Sequence, residues 1–238
     1  STYPTLYGEK AVLRLLNLAE ALFSLNDLGF EQGIADKFNN MLIGGEGIIL
    51  VSGPTGSGKT TTLYSTLNRL EKPDVNIVTV EDPIEYDLAN INQAQVNIKS
   101  GVTFSSALRS ILRQDPDIIM VGEVRDEETV ELAIRASLTG HLVFSTIHTN
   151  DAASGFTRLL NWNIEPFLIT STVKGILALR LVRRLCKECR EPYSPSSQEL
   201  KTAGLAEYNN LKAFKGVGCL SCRNTGYRGR IGIYELLL

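Results

Sequence analysis

Short apolar runs alternate with stretches of helical spacing through the middle of the chain. The apolar runs predict buried strands at 48–52, 76–80, 117–121 and 142–147. Apolar residues three or four positions apart, with capping and breaking residues, predict helices at 30–41, 59–68, 102–113 and between Asp126 and Gly140. Strands that alternate with helices favour an α/β fold, in which a mainly parallel sheet carries helices on both faces.

The segments outside this alternating core give weaker patterns. Residues 9–16 are strand-like, and residues 24–28 are predicted to form a loop. Residues 191–216 are polar and are predicted to be helical in part, as an excursion between two pairs of cysteines. The pattern therefore indicates one large α/β unit with a small appended region.

Residues 53–60 read GPTGSGKT, directly after the first core strand and directly before a helix. In this setting the pattern predicts a phosphate-binding loop, whose glycines let backbone N–H groups point into one concave nest. Lys59 is expected to reach the β- and γ-phosphates of a nucleotide, and the Thr60 hydroxyl is expected to bind Mg²⁺. A glycine-rich turn without a ligand is the alternative. The nucleotide-binding candidates are Gly53, Pro54, Thr55, Gly56, Ser57, Gly58, Lys59, Thr60 and Thr61.

Polar side chains follow three further predicted strands. Glu81 lies at the end of the second strand, Glu123 follows the third and His148 follows the fourth. Ligands of open α/β sheets bind beyond the carboxyl ends of the strands, so these groups are expected to converge on the phosphates. Glu81 is the candidate base or orienting group for water, and Glu123 is the candidate for holding Mg²⁺ or its waters. The alternative is that both are solvated acids.

The chain has two histidines, His141 and His148, at opposite ends of the fourth predicted strand. His148 lies at the carboxyl end, where it is well placed to sense the γ-phosphate. A direct phosphate role is harder to argue for His141, which lies at the other end. A structural role within a satisfied hydrogen-bond network is the alternative for each.

Two C-x-x-C pairs, Cys186 with Cys189 and Cys219 with Cys222, contain every cysteine of the chain. Each pair can hold one side of a tetrahedral ion, and four thiolates suit Zn²⁺ in a closed structural site. The 29 residues between the pairs exceed the usual zinc-ribbon spacing, which predicts an inserted excursion. Redox chemistry and free buried thiols are the alternatives.

Composition and charge restrict the classes of function. The 238 residues are 43% apolar and 21% charged with a net charge of −2, which disfavours nucleic-acid or membrane binding by overall electrostatics. No apolar run approaches the roughly 18 residues of a membrane span, and no signal peptide is recognised, so a cytoplasmic protein without disulfides is expected. Basic residues cluster near the cysteines and predict either contact with an acidic partner or lipid headgroups, or simple solvation. They are Arg183, Arg184, Lys187, Arg190, Arg223, Arg228 and Arg230.

Together these motifs resemble the secretion ATPases that drive type II secretion and type IV pilus assembly. The core motifs are GPTGSGKT at 53–60, TVEDPIEY at 79–86, LRQDPDIIMVGEVRD at 112–126 and TGHLVFSTIHTNDA at 139–152. The cysteine pairs and GYRGRIGIYELL at 226–237 are similar to the assembly and secretion branch, whereas pilus retraction ATPases resemble the core but lack the cysteines. The resemblance covers nearly the whole chain.

The resemblance implies a RecA-like ATPase core that uses ATP and Mg²⁺, and a small subdomain that binds Zn²⁺. It implies that Glu81 is the catalytic glutamate, that Glu123 is the Walker B acid acting on Mg²⁺, and that His141 and His148 are the paired histidines of the histidine motif. It also implies that Arg14 is offered to the nucleotide. Arg113 and Arg125 are expected to form salt bridges as readily as phosphate contacts.

The resemblance also implies an organisation and a set of partners. It assigns 1–28 to a remnant of an N-terminal subdomain and linker, 29–180 to the RecA-like core, 181–230 to the tetracysteine subdomain and 231–238 to the start of a C-terminal segment. The protein is expected to be a cytoplasmic homo-hexamer, peripheral on the inner membrane, that works with a platform protein and a membrane-recruiting adaptor and with no specific nucleic acid. The chain is expected to be a segment of a longer protein.

The function predicted is that of a Mg-ATP-hydrolysing motor for type II secretion or type IV pilus assembly. Three alternatives stay open: a DNA-uptake or conjugation-type motor, a nucleic-acid helicase, and an ATP-gated interaction module without efficient hydrolysis. A helicase predicts a basic channel with stacking aromatic groups and salt-sensitive DNA binding. The acidic net charge and the single tryptophan, Trp162, argue against it.

Overall fold

The computed structural model describes residues 2–13, 23–208 and 211–238 and divides the chain into two compact units. The core unit is Ser1–Leu179 with Tyr234–Leu238, and the cysteine unit is Arg180–Ile233. Two long strands, Val173–Leu185 and Tyr227–Leu237, contain the boundaries between the units.

The core unit follows the predicted alternation of strands and helices. Its elements are β1 (Thr2–Thr5), β2 (Gly8–Ala11), α1 (Gln32–Ile43), β3 (Gly47–Ser52), α2 (Lys59–Leu70), β4 (Ile77–Glu81), β5 (Asn92–Gln95), α3 (Phe104–Ile111), β6 (Ile118–Val121), α4 (Glu127–Leu138), β7 (Leu142–Ile147), α5 (Ala152–Asn161) and α6 (Pro166–Thr172). The strand β8 (Val173–Leu185) then leads into the cysteine unit, where β9 (Arg190–Tyr193), α7 (Ser197–Thr202) and β10 (Ala213–Gly216) precede β11 (Tyr227–Leu237).

Seven of the strands that the structure describes form one sheet in the order β11-β8-β3-β7-β6-β4-β5. The pairs β8–β3, β3–β7, β7–β6, β6–β4 and β4–β5 are all parallel. Alternate residues of β3 point to opposite faces, as the period of a strand requires. Ile49 and Val51 pack with the helices α1 and α2, whereas Ile48 and Leu50 pack with α3 and α4. The predicted α/β fold with helices on both faces is therefore confirmed.

Local capping explains where several helices begin. Asp126 accepts the Thr129 N–H at 2.8 Å and caps α4, as predicted. Thr103 accepts the Ser106 N–H at 3.1 Å, so that α3 begins later than the predicted residue 102. The prediction of a loop at 24–28 is wrong over Leu25–Leu28, which forms a 3₁₀ turn because the Asp27 carboxylate accepts the Ser24 N–H at 3.0 Å.

The remaining predictions outside the core are confirmed in part. Within 9–16, the strand β2 ends at Ala11 and pairs with β1, and residues 14–16 lie outside the described residues. Within 191–216, the helix α7 is present, but most of the order comes from the antiparallel pair β9–β10, which the polar sequence did not indicate.

Candidate functional site

Four neighbouring strands of the sheet, β3, β7, β6 and β4, end at one edge. The last residue of β3, Ser52, is in register with the last residue of β7, Ile147. The loop that follows β3 leaves this edge, as do Glu81 at the end of β4, Glu123 after β6 and His148 after β7. The topology therefore gathers the predicted polar groups at the carboxyl ends of parallel strands, where α/β sheets bind ligands.

The loop between β3 and α2 needs glycine at two positions. Gly53 has a φ of +151°, and a Cβ there would lie 2.6 Å from the Leu179 carbonyl oxygen and 2.5 Å from Ser57 Oγ. Gly58 has a φ of +101° and is the residue from which α2 starts. Only glycine takes such backbone angles without strain. The two glycines therefore allow the loop to turn sharply between the end of β3 and the N-terminus of α2, where helices bind anions.

Lys59, the first residue of α2, extends back beneath the loop. Its Nζ donates hydrogen bonds to the carbonyl oxygens of Gly53 at 2.8 Å and Pro54 at 3.1 Å. Burial lowers the pKa of Lys59, and the negative charge of Glu123 opposes that shift. The ammonium group is thus held in a partly desolvated position, where an anion in the loop would interact with it strongly.

The polar groups of the loop fit a phosphate and a magnesium ion. In the part of the chain that the structure describes, Ser57 Oγ is buried and has no hydrogen-bond partner. A buried hydroxyl without a partner is rare in proteins and fits a ligand that supplies one. Thr60 and Thr61 are half-buried in the first turn of α2, and Pro54, Thr55 and Gly56 are exposed along the loop.

Glu123 has a side chain that is only 13% exposed and lies between two basic groups. Its Oε1 accepts a hydrogen bond from Arg125 Nη2, and its Oε2 lies 3.6 Å from His148 Nε2. The hydrogen bond with Glu123 raises the pKa of Arg125, which stays charged. Arg125 thus forms a salt bridge, one of the two roles expected for it. Arg113 donates to the Arg109 carbonyl oxygen at 2.8 Å.

Glu81 is 3% exposed, and three side chains donate hydrogen bonds to its carboxylate. Tyr64 Oη donates to Oε2, whereas Thr79 Oγ1 at 2.7 Å and Gln93 Nε2 at 2.9 Å donate to Oε1. None of these three donors was predicted from the sequence. Thr79 lies two positions before Glu81 in β4, so both side chains point to the same face of the strand. This spacing is the sign of a Thr79–Glu81 contact that the sequence contains.

One predicted residue lies away from the carboxyl edge, and another lies outside the described residues. His141 precedes β7, at the opposite edge of the sheet, and its Nδ1 lies 2.8 Å from the Ala136 carbonyl oxygen and 3.1 Å from Thr139 Oγ1. These contacts to the end of α4 are of the kind that the structural alternative for His141 predicts. Arg14 lies outside the described residues.

The four cysteines of the cysteine unit form one cluster, with all sulfur atoms within 4.8 Å of one another. The Sγ–Sγ distances are 3.8 Å for Cys186–Cys219, 3.8 Å for Cys189–Cys222 and 3.7 Å for Cys219–Cys222. Zinc–sulfur bonds of about 2.3 Å in a tetrahedron separate the sulfurs by about 3.8 Å. The donor set and its spacing therefore fit a tetrahedral ion, and the thiols are free rather than paired in disulfides.

Backbone N–H groups also point at this cluster. The N–H groups of Cys219 and Gly226 lie 3.2 and 3.3 Å from Cys222 Sγ. Burial opposes ionisation of Cys222, but these N–H groups and the neighbouring thiols outweigh it and lower its pKa to about 6. A thiolate stabilised in this way suits metal binding.

The fold and the loop together define a P-loop nucleotide-binding core of the α/β class. A family model described as type II/IV secretion system protein matches residues 1–238. The chain belongs to the type II/IV secretion system protein family, which confirms the resemblance seen in the sequence.

Individual relatives agree with this family. The chain is 51% identical over 240 residues to the type IV pilus assembly ATPase PilB of Thermus thermophilus, covering 100% of this chain and 27% of that protein. It is 50% identical over 238 residues to the type II secretion system ATPase E of Vibrio cholerae, covering 100% of this chain and 47% of that protein. The chain thus spans about half or less of the length of these relatives.

A solved structure supports the fold. The crystal structure of the pilus retraction motor PilT with bound ADP superposes with a TM-score of 0.63 and 33% identity, over 78% of this chain and 55% of that one.

None of the helices in the described residues has the length and apolar character that crossing a membrane requires.

Proposed function

We propose that the chain is the ATPase domain of a hexameric motor that powers type II secretion or type IV pilus assembly at the bacterial inner membrane. The observation that carries the proposal is the convergence of the phosphate loop, Glu81, Glu123 and His148 at the carboxyl edge of the sheet. ATPases named for each of the two machines match the chain over its whole length.

Each group at this edge has a proposed part in hydrolysis. Lys59 and the backbone N–H groups of the loop, Pro54 excepted because it has none, would bind the phosphates, and Thr60 and Glu123 would hold Mg²⁺, which neutralises phosphate charge when bound. Glu81 would orient and deprotonate the attacking water. His148 would sense the γ-phosphate through its position beside Glu123.

His141 and Arg14 have more distant proposed parts. Because His141 lies at the other edge of the sheet, a phosphate role for it would require a neighbouring subunit of the ring. Arg14 is proposed to reach nucleotide, as the family pattern implies. The proposed partners are identical subunits, an inner-membrane platform protein and a membrane-recruiting adaptor, with the protein cytoplasmic and peripheral on the membrane.

The cysteine cluster is proposed to hold one structural Zn²⁺. The tetrahedral spacing of the four sulfurs supports this assignment. A closed set of four protein ligands leaves no position for a substrate, so the ion would stabilise the cysteine unit rather than take part in hydrolysis.

The test is Mg-ATP turnover per subunit, measured over a range of protein concentrations. Turnover that rises with concentration and disappears in Lys59→Ala supports a motor that is active as a ring. Glu81→Gln is expected to keep ATP binding and to lose hydrolysis. ATP binding without turnover at every concentration would refute the proposal for this chain and favour an ATP-gated interaction module.

A further inference from the structure

The carboxylate of Glu81 is fixed by donors from three separate elements. Tyr64 belongs to α2, Thr79 to β4 and Gln93 to β5. We propose that Tyr64 is a positioning residue for hydrolysis, which directs toward the attacking water the acceptor position of Glu81 that the described donors leave free. This inference rests on the proposed role of Glu81 as the base.

The donors are distributed unevenly over the two carboxylate oxygens. Among the side chains that the structure describes, Thr79 and Gln93 both donate to Oε1, and Tyr64 alone donates to Oε2. A carboxylate has about four acceptor positions, two on each oxygen. Because Oε1 already accepts two hydrogen bonds, the remaining position is on Oε2, beside the Tyr64 hydroxyl. A water that gives a proton to Glu81 would therefore give it to Oε2.

The Tyr64 side chain is itself held firmly. It is 1% exposed, its ring lies edge-on to the Tyr86 ring at 6.2 Å, and its Oη accepts the Glu85 N–H at 3.3 Å. Burial, followed by the hydrogen bond with Glu81, raises the pKa of Tyr64, so the hydroxyl stays protonated and remains a donor. The hydroxyl thus fixes Oε2 and leaves it one direction in which to accept a further proton.

Tyr64 also links the Glu81 carboxylate to the phosphate loop, because it lies on the helix that starts at that loop. Tyr64 lies five residues after Lys59 on the helix that starts at the phosphate loop. The same rigid helix therefore carries the lysine that would bind phosphate and the hydroxyl that orients the base. This arrangement sets the direction of the Glu81 carboxylate relative to the phosphate loop, and general-base catalysis depends on such geometry.

The test compares the purified chain with Tyr64→Phe, which keeps the buried ring and removes only the hydroxyl. We expect kcat for Mg-ATP to fall about tenfold, with KM and ATP affinity within about twofold of the wild type, since the phosphate contacts are unchanged. Tyr234→Phe is the matched control, because it removes the hydroxyl of another, half-buried tyrosine in the same unit. Its kcat should equal that of the wild type.

A double-mutant cycle with Glu81→Gln distinguishes a positioning role of Tyr64 from a general loss of protein structure. The cycle is read on the residual turnover of Glu81→Gln, measured at high enzyme concentration over long times. If Tyr64 acts through Glu81, then adding Tyr64→Phe should not lower this residual kcat further. Thr79→Val, which removes one donor from Oε1, should lower kcat by less, because Gln93 still holds that oxygen. It also provides a second variant if Tyr64→Phe is poorly folded by circular dichroism.

The outcomes distinguish this inference from the function on which it rests. A Tyr64→Phe variant with wild-type kcat, or with the same fold loss in both Glu81 backgrounds, would overturn the positioning role while leaving the ATPase intact. Wild-type turnover that Glu81→Gln does not reduce would instead overturn Glu81 as the base. A wild type without turnover would overturn the proposed function together with the inference.

Discussion

His148 Nε2 lies 3.6 Å from Glu123 Oε2, across the carboxyl ends of the adjacent strands β7 and β6. The other oxygen of the same carboxylate is bound by Arg125. Each oxygen of Glu123 therefore has one basic side chain beside it. The Arg125 contact is a hydrogen bond, whereas the longer His148 contact places an imidazole next to the acid that is proposed to hold Mg²⁺.

The first prediction concerns the two histidines. His148→Ala should lower kcat for Mg-ATP about tenfold or more, because it removes the imidazole beside Glu123 that is proposed to sense the γ-phosphate. His141→Ala is the comparison, since it removes an imidazole at the opposite edge of the sheet and should cause a smaller loss. Steady-state kinetics of the two variants at equal protein concentration check this order. Equal losses would show that contact with Glu123 is not what makes His148 important.

The second prediction concerns the phosphate loop. Gly53→Ala would place a Cβ against the Leu179 carbonyl oxygen and Ser57 Oγ at a positive φ, so we expect destabilisation of about 2 kcal/mol or more and loss of ATP binding. Gly56→Ala is the matched control, because its Cβ would meet nothing within 4 Å and only backbone strain of about 1 kcal/mol remains. Urea denaturation and ATP-binding titrations measure both effects. Similar values for the two variants would contradict the close approach at Gly53.

The third prediction concerns alkaline pH. The Tyr234 hydroxyl donates to the Leu28 carbonyl oxygen at 3.1 Å, the Tyr234 ring stacks on Phe30 at 3.9 Å, and burial raises the pKa of Tyr234 from 10 to about 12. Because the folded-state pKa is raised, its contribution to stability is complete below pH 10 and is lost as the pH rises through 12. For a partly exposed group we expect about 1 to 2 kcal/mol.

Denaturant unfolding at a series of pH values tests this contribution. The unfolding free energy of the wild type should fall between pH 10 and 12, and Tyr234→Phe should remove part of that fall. Tyrosinate absorbance follows the ionisation directly. An identical pH dependence in the two proteins would contradict the raised pKa of Tyr234.

The fourth prediction concerns the cysteine cluster. Elemental analysis should find about one zinc per chain, and Cys222→Ser should lose the metal and lower the melting temperature, because metal affinity is coupled to folding. Leu220→Ser is the control, since Leu220 lies between the ligands of the second pair and is 92% exposed. It should keep the metal. A metal-free protein as stable as the zinc-bound form would refute the proposed site.

Several elements were predictable because their signals are local. The buried strands β3, β6 and β7 are short apolar runs, and the start of α4 follows from a single capping residue, Asp126. Parallel strands joined by helices place their carboxyl ends at one edge. The gathering of Glu81, Glu123 and His148 at that edge could therefore be predicted from the order of elements alone.

Other elements carry too little local signal to be predicted. The strand β5 reads NQAQ, has no apolar alternation and is ordered by its pairing with β4. The pair β9–β10 likewise depends on contacts across a polar excursion of the chain. In both cases the hydrogen bonds of a neighbouring strand, and not the residues themselves, decide the conformation.

By itself, the sequence determined the chemistry of this protein: a phosphate loop, acids and a histidine at strand ends, four cysteines and the order of the core elements. These depend on residue type and on spacing within a few positions, which the chain displays directly. Only the tertiary structure decided how the groups are held, because Tyr64, Thr79 and Gln93 reach Glu81 from three different elements. Contacts of that kind arise from packing between distant segments, and no local pattern specifies them.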